Sequence, residues 1–322
     1  MGLSQSSPTV TEKTIPDQSG KVFIVTGSTS GVGRELAKIL YASNARVYVA
    51  ARSADKAKTT IEIIKAECPK SNGGLSFLKL ELSDLSTIKA SAEEFLSKET
   101  RLDVLWNNAG VMIPPQGSKT SQDFELQLGT NNLGPFLFTK LLTPLMAKTA
   151  RLTSLGSVRT VWVASGAVNM SPKGGVDMAN LDYKVDKSAW HKYSVTKAGN
   201  YLHATEFARR HKEDGIVSVA IDPGMLKTDL WVNTPGWQMA IANFLLHEPI
   251  YGAYTELYGG LSPDITLEKT GAWIKPWGKI SKIREDLEAS SKSEKEGGSG
   301  IGAEFWNWSE EQVRPFAGVT KS

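Results

Sequence analysis

Short runs of β-branched and other apolar residues alternate along the chain with longer stretches whose apolar positions recur at helical spacing. The runs predict strands near 22–26, 46–50, 75–80, 102–106, 159–164 and 216–221. The longer stretches predict helices near 32–43, 54–67, 85–98, 121–147 and 191–213. Alternation of this kind calls for right-handed crossovers, and so for an α/β fold with a doubly wound parallel sheet covered on both faces. A length of 322 residues would admit two domains. One is expected, over 20–280, because no internal linker interrupts the pattern before the last fifth of the chain. Residues 1–19, rich in Ser, Thr and Pro, read as a flexible N-terminal tail. Residues 281–322 read as a C-terminal extension: a charged helix fades into a flexible link at Gly297-Gly298-Ser299-Gly300. A short terminal helix follows, capped by Ser309-Glu310-Glu311-Gln312 and packed back through Phe305, Trp306 and Trp308.

Ligands of such sheets bind outside the carboxyl ends of the strands, so the residues that follow each strand carry the chemistry. The first strand, Val22 to Thr26, runs into Gly27-Ser28-Thr29-Ser30-Gly31-Val32-Gly33 and then a helix. Residues without Cβ allow a sharp turn and let a pyrophosphate approach backbone N–H groups, with the positive end of the helix aimed at it. The second strand ends at Ala51-Arg52. A carboxylate here would hold the ribose 2′-hydroxyl of NAD, whereas an arginine suits the 2′-phosphate of NADP. Asp84, after the third strand, either accepts from the adenine amino group or caps the next helix, or does both. The fourth strand leads to Asn107-Asn108-Ala109-Gly110, two amides and two small residues that leave room for a flat ligand. Ser165 stands at the end of the fifth strand. Tyr193 and Lys197, four apart, share one face of the following helix. After the sixth strand come Asp222-Pro223-Gly224 and Thr228.

The ordered set Thr26-Gly27-xxx-Gly31-x-Gly33, Asn107-Asn108-Ala109-Gly110, Ser165, Tyr193-xxx-Lys197 and Pro223-Gly224 resembles the short-chain dehydrogenase/reductase family over residues 20–275. Asn131-Asn132-Leu133-Gly134-Pro135-Phe136 and the long gap from Ser165 to Tyr193 are similar to its retinol-dehydrogenase-like and fungal-type members. The resemblance implies a Rossmann-type fold and an oxidoreductase that interconverts a carbonyl and an alcohol with NADP(H). In that scheme Tyr193 exchanges the proton, Ser165 holds the substrate oxygen and Lys197 binds the nicotinamide ribose. Asn131 supports a water relay to Lys197, and Thr228 anchors the carboxamide. Asn132 competes with Asn131, the register resting on Gly134 and Phe136. Free tyrosine titrates near 10, and Lys197 with a cationic nicotinamide would lower that value. Tyr183-xxx-Lys187 also matches the Tyr-xxx-Lys spacing, but lies among turn residues without a helical apolar stripe; Tyr193 is preferred. Residues 225–250, with Leu230, Trp231, Trp237, Met239, Phe244 and Leu245, read as a lid over a bulky apolar substrate, or else as plain packing. Relatives often pair through the helices near 121–147 and 191–213, so a homodimer is admitted. A non-catalytic cofactor-sensing protein on this fold and an epimerase or dehydratase are the competing readings.

Composition leaves this picture intact. A net charge of +3 spread along the chain argues against a nucleic-acid platform. Cys68 is the single cysteine, so no intrachain disulfide forms. No apolar run approaches the ~20 residues of a membrane helix, and a cytoplasmic protein is expected. Met1-Gly2-Leu3-Ser4-Gln5-Ser6 matches the loose myristoylation pattern, with a polar tail as the plainer reading. His191, His203, His211 and His247 form no ligand cluster, and no metal is expected. His191 is either a wall of the pocket or a helix-start residue.

Overall fold

The computed structural model describes residues 7–228 and 246–318. Among them eight strands form one sheet in the order β3-β2-β1-β4-β5-β6-β7-β8. These are β1 Val22–Thr26, β2 Arg46–Ala51, β3 Gly74–Lys79, β4 Val104–Asn107, β5 Arg159–Val163, β6 Val217–Ile221, β7 Trp273–Lys275 and β8 Lys279–Ser281. All neighbours are parallel except β7 and β8. The chain builds outward from β1 to β3, then crosses back to lay β4 on the other side of β1. That reversal opens a crevice at the carboxyl ends of β1 and β4. The first six strands lie where the sequence predicts them. β7 and β8 are too short to show a period of their own.

The helices are α1 Gly31–Ala42, α2 Ala54–Glu67, α3 Leu85–Lys98, α4 Leu126–Leu128, α5 Gly134–Arg151, α6 Ala189–Arg210, α7 Pro249–Leu261, α8 Glu285–Ser290 and α9 Ile301–Ala317. A π-helical turn, Gly129–Leu133, joins α4 to α5. The predicted 121–147 helix thus starts later, because Thr120 and Phe124 close a loop first through Thr120 N–H to Phe124 O. Strands β1, β4, β5 and β6 are buried along their whole length, which is why each reads as a continuous apolar run. Alternate residues face opposite layers. Phe23, Val25, Trp106 and Val219 pack with Leu36 and Leu40 of α1 and Ala253 and Leu257 of α7. Ile24, Leu105, Trp162 and Ala220 pack with Leu137 of α5, Leu202 and Phe207 of α6 and Phe305 of α9.

Both ends of the chain depart from expectation. The segment 9–18 is laid onto the body: Val10 and Ile15 pack against the α1/α7 layer, and Gln18 N–H donates to Ser43 O at 2.7 Å. Asn44 Nδ2 donates to Asp17 at 2.6 Å. Two apolar side chains suffice to dock an otherwise polar segment. At the other end, Ser309 caps nothing. It is buried inside α9, which begins at Ile301, and its hydroxyl donates to Phe305 O at 2.8 Å and pairs with His203 Nε2 at 3.0 Å. The stripe Phe305, Trp306, Ser309 and Val313 is buried and sets the helix length, overriding the local capping pattern. The preceding link carries a capping box of its own, Ser293 with Glu296. α9 lies across α5 and α6, with Phe305 stacked on His203 at 4.6 Å and Trp306 edge-on to Phe136 at 4.7 Å. It thereby covers part of the face on which the resemblance admits pairing of two copies.

Candidate functional site

At the end of β1, Thr26 Oγ1 accepts from Ala109 N–H at 2.9 Å and donates to Trp106 O at 3.2 Å, while Asn108 Nδ2 donates to Thr26 O at 2.7 Å. The loop after β4 is thus tied to the glycine turn. Gly27 has φ +68°, and a Cβ there would lie 2.8 Å from Ala109 Cα. A Cβ on Gly33 would lie 2.5 Å from Asn108 Nδ2 and 2.8 Å from Gly27 O, so the close approach of helix and loop requires its absence. Ser30 stands at the N-cap of α1 without a side-chain capping bond, and the first turn has no acidic residue. The N–H groups of Gly31, Val32 and Gly33 therefore keep their positive end for an outside anion, as a pyrophosphate requires. Thr228 lies over this start, its Cγ2 3.3 Å from where a Cβ of Gly31 would be.

Arg52 follows β2 and is exposed, with no ion pair among the described residues. Asp84 caps α3, accepting from Ser86 N–H at 3.1 Å, Ser86 Oγ at 2.6 Å and Gln122 Nε2 at 2.8 Å. These bonds hold its carboxyl below the usual range. Gly224, with φ +88°, turns the chain after β6 and donates its N–H to Asp222 Oδ1 at 3.0 Å, with Pro223 between them.

Ser188 caps α6, its hydroxyl accepting from His191 N–H at 3.2 Å. One turn later Tyr193, 6% exposed, packs against Met112, Ile113 and Ala167, with Trp190 edge-on at 6.1 Å. Lys197 Nζ lies 5.6 Å from the Tyr193 ring centre and donates to Val163 O at 2.9 Å. Ser165 is the next residue but one along the chain from Val163; its hydroxyl lies beside the Tyr193 phenol and accepts from Ala167 N–H at 3.1 Å. The π-helical turn directs two neighbouring amides apart. Asn131 Oδ1 accepts from Val111 N–H at 2.8 Å and its Nδ2 donates to Val111 O and Thr196 Oγ1. Asn132 instead bonds Thr196 O and Asn200 on α6. A Cβ on Gly110 would lie 3.2 Å from Asn131 Oδ1 and 3.7 Å from Lys197 Nζ, so these two groups meet across that glycine. Tyr183 sits in a loop with φ +52°, its ring facing Lys192, outside any helix.

Burial dominates the electrostatics. It pushes the Tyr193 phenol up, against the neighbouring Ser165 hydroxyl, which lowers it, with the Asp222 charge adding to the rise. It lowers Lys197 to about 8, with Glu256 and Asp222 pulling the other way. The chain on its own therefore raises the phenol. Burial also lowers the half-buried His191. Glu256 on α7, absent from the sequence reading, is fully buried with no hydrogen bond to either carboxyl oxygen. Its one signal is a lone acid in the otherwise uncharged run Pro249–Leu261. The six apolar residues expected in the lid, Leu230 to Leu245, lie outside the described residues. Among the described residues no group of three His, Cys, Asp or Glu side chains is disposed to hold a metal ion, and no helix is long and apolar enough to cross a membrane.

The family profile described as short chain dehydrogenase matches residues 21–238. The chain belongs to the short-chain dehydrogenase/reductase family. It is 52% identical to a short-chain dehydrogenase/reductase of Phomopsis amygdali, over 96% of this chain and 94% of that one. It is 50% identical to the short-chain dehydrogenase/reductase pkfC of Emericella nidulans, over 98% and 100%. It is accordingly an oxidoreductase of a family that uses nicotinamide cofactors. In fold it is similar to the NADPH-bound carbonyl reductase from chicken fatty liver, with TM-score 0.62 and 22% identity over 83% of this chain and all of that one. The Pseudomonas aeruginosa RhlG/NADP complex matches with TM-score 0.62 and 22% identity over 81% and 96%.

Proposed function

We propose that this short-chain dehydrogenase/reductase interconverts a ketone or aldehyde and the corresponding alcohol on a bulky apolar substrate, with NADP(H) as cofactor. The observation that carries the reading is the buried Tyr193 phenol, with the Ser165 hydroxyl beside it and Lys197 flanking its ring. Gly27, Ser30, Gly31, Val32 and Gly33 would hold the pyrophosphate, and Arg52 the 2′-phosphate. Asp84, Asn108, Ala109 and Gly110 would border the adenosine and ribose side, and Pro223, Gly224 and Thr228 the nicotinamide side. When bound, the nicotinamide would supply hydride to the carbonyl carbon, or receive it in the oxidative direction. Tyr193 gives its phenolic proton to the carbonyl oxygen as the alcohol forms, and Ser165 donates a hydrogen bond to that oxygen, stabilising developing charge. Lys197 holds the ribose and refills the phenol with a proton, through a water relay bordered by Asn131. Met112, Ile113 and Trp190 beside Tyr193 support an apolar substrate. A lone cysteine suits the reducing cytoplasm.

The direct test is oxidation of NADPH by the purified full chain with acetophenone, benzaldehyde, cyclohexanone and phenanthrenequinone. Turnover of at least one is expected, and none with either NADPH or NADH would sink the carbonyl-reductase reading. Arg52 tests the cofactor. Removing one charge-assisted contact to a phosphate costs about 1.5–3 kcal/mol, so Arg52→Asp is expected to lower the NADPH:NADH ratio of kcat/KM by about tenfold or more. An unchanged ratio removes Arg52 from the cofactor site.

A further inference from the structure

The short helical turn that follows Ser165, Gly166–Met170, is fixed at both ends. At its start Ser165 Oγ accepts from Ala167 N–H, the Asp222 carboxyl lies against Gly166 with Oδ2 3.2 Å from where a Cβ would be, and Ala167 packs against Tyr193. At its far end stands Arg284, from the extension between β8 and α8. Arg284 Nη1 donates to Val168 O at 3.1 Å, Asn169 O at 3.0 Å and Ser171 O at 3.1 Å. Its Nη2 donates to Ser171 Oγ at 3.2 Å and Pro172 O at 2.8 Å. Asp286 orients the fork, taking Nε at 2.5 Å and Nη2 at 2.8 Å, and also accepts Gly174 N–H at 2.7 Å. A helical turn ends in carbonyls without internal donors, and one planar guanidinium here satisfies several at once. An ammonium presents a single point of charge and does not span them.

We infer that Arg284 is a positioning residue for the reaction: by closing the far end of this turn it holds the Ser165 hydroxyl and the Ala167 wall in place against Tyr193. The inference rests on the functional reading above, through the role of Ser165. It makes part of the C-terminal extension a working part of the site.

A purely structural arginine and a positioning one separate in a double-mutant cycle on the full chain, using the panel carbonyl that the wild type reduces fastest. Arg284→Ala is expected to lower kcat about tenfold or more, the scale of a small misplacement, while the NADPH Kd from fluorescence quenching is unchanged. Arg284→Lys is expected to recover only part of the loss. In a Ser165→Ala background, Arg284→Ala is expected to change kcat by less than about twofold, because the group through which it acts is gone. An equal loss in both backgrounds, or full kcat in Arg284→Ala, overturns the inference. Amide exchange on the NADPH-bound protein supplies a readout free of turnover. Peptides over 165–174 are expected to exchange faster in both Arg284 variants while peptides of β1 and β4 do not, and unaltered exchange over 165–174 overturns the inference. If Arg284→Ala fails to fold, Arg284→Lys carries both measurements. If the wild type turns over no carbonyl, the functional reading falls, and exchange alone decides the positioning claim.

Discussion

Tyr193→Phe is expected to abolish carbonyl turnover, lowering kcat by about three orders of magnitude within the range of a lost general acid, while NADPH binding survives. The phenol is almost wholly enclosed, and the ring, which fills the space beside Met112, Ile113 and Ala167, is kept in the variant. What is lost is one proton donor and the hydroxyl that faces Ser165. Burial keeps the phenol protonated at neutral pH, the state in which it serves as an acid for reduction. The oxidative direction requires the phenolate, which the same burial opposes. Lys197, itself pushed down to about 8 by burial, lies 5.6 Å from the ring centre. Steady-state kinetics with fluorescence titration of NADPH checks the prediction. Retained turnover would remove Tyr193 from the chemistry, and lost cofactor binding would show that the substitution damages the fold.

The parts of the site that were legible in the sequence are those whose meaning is local. Gly27, Ser165 and Tyr193-xxx-Lys197 each follow a strand or open a helix, and a parallel sheet delivers strand ends to one crevice wherever they stand in the chain. Of the two amides, the register of Gly134 and Phe136 favours Asn131 over Asn132; the π-helical turn aims Asn131 at Val111 and Asn132 at Asn200. What could not be read depends on partners far apart in sequence. Arg284 looks like any charged residue of a surface helix until the turn after Ser165 is folded beneath it. Ser309 carries a valid capping pattern, yet aromatic burial beside it extends α9 by two turns. Val10 and Ile15 look incidental until α1 and α7 present a surface to receive them.

Glu256→Gln is expected to stabilise the protein increasingly as pH rises from 5 to 8. Burial raises this carboxyl from the usual 4.5 to about 8, and Lys197 opposes the rise only in part. Neither carboxyl oxygen has a hydrogen-bond partner, and the bond from Trp106 Nε1 at 2.9 Å goes to the main-chain oxygen of Glu256. Between 4.5 and about 8 the unfolded chain has lost this proton while the folded chain keeps it, so the stability present below 4.5 is withdrawn across that window and falls no further above it. The slope for one such proton is about 1.4 kcal/mol per pH unit at most. Lys197 acts in a separate window: its lowered value withdraws stability as pH falls from 10.5 to about 8. Glutamine keeps the shape and cannot ionise, so the difference between variant and parent isolates Glu256 from Asp222, which burial also raises. Melting temperatures should nearly coincide at pH 5 and differ by about 5 °C at pH 8, a gap of about 3–4 kcal/mol, close to the full slope over about three pH units. A difference that stays flat from pH 5 to 8 would mean that Glu256 is ionised throughout. The acid would then owe its place in α7 to an ion pair with Lys197, and Glu256→Gln would destabilise the fold instead.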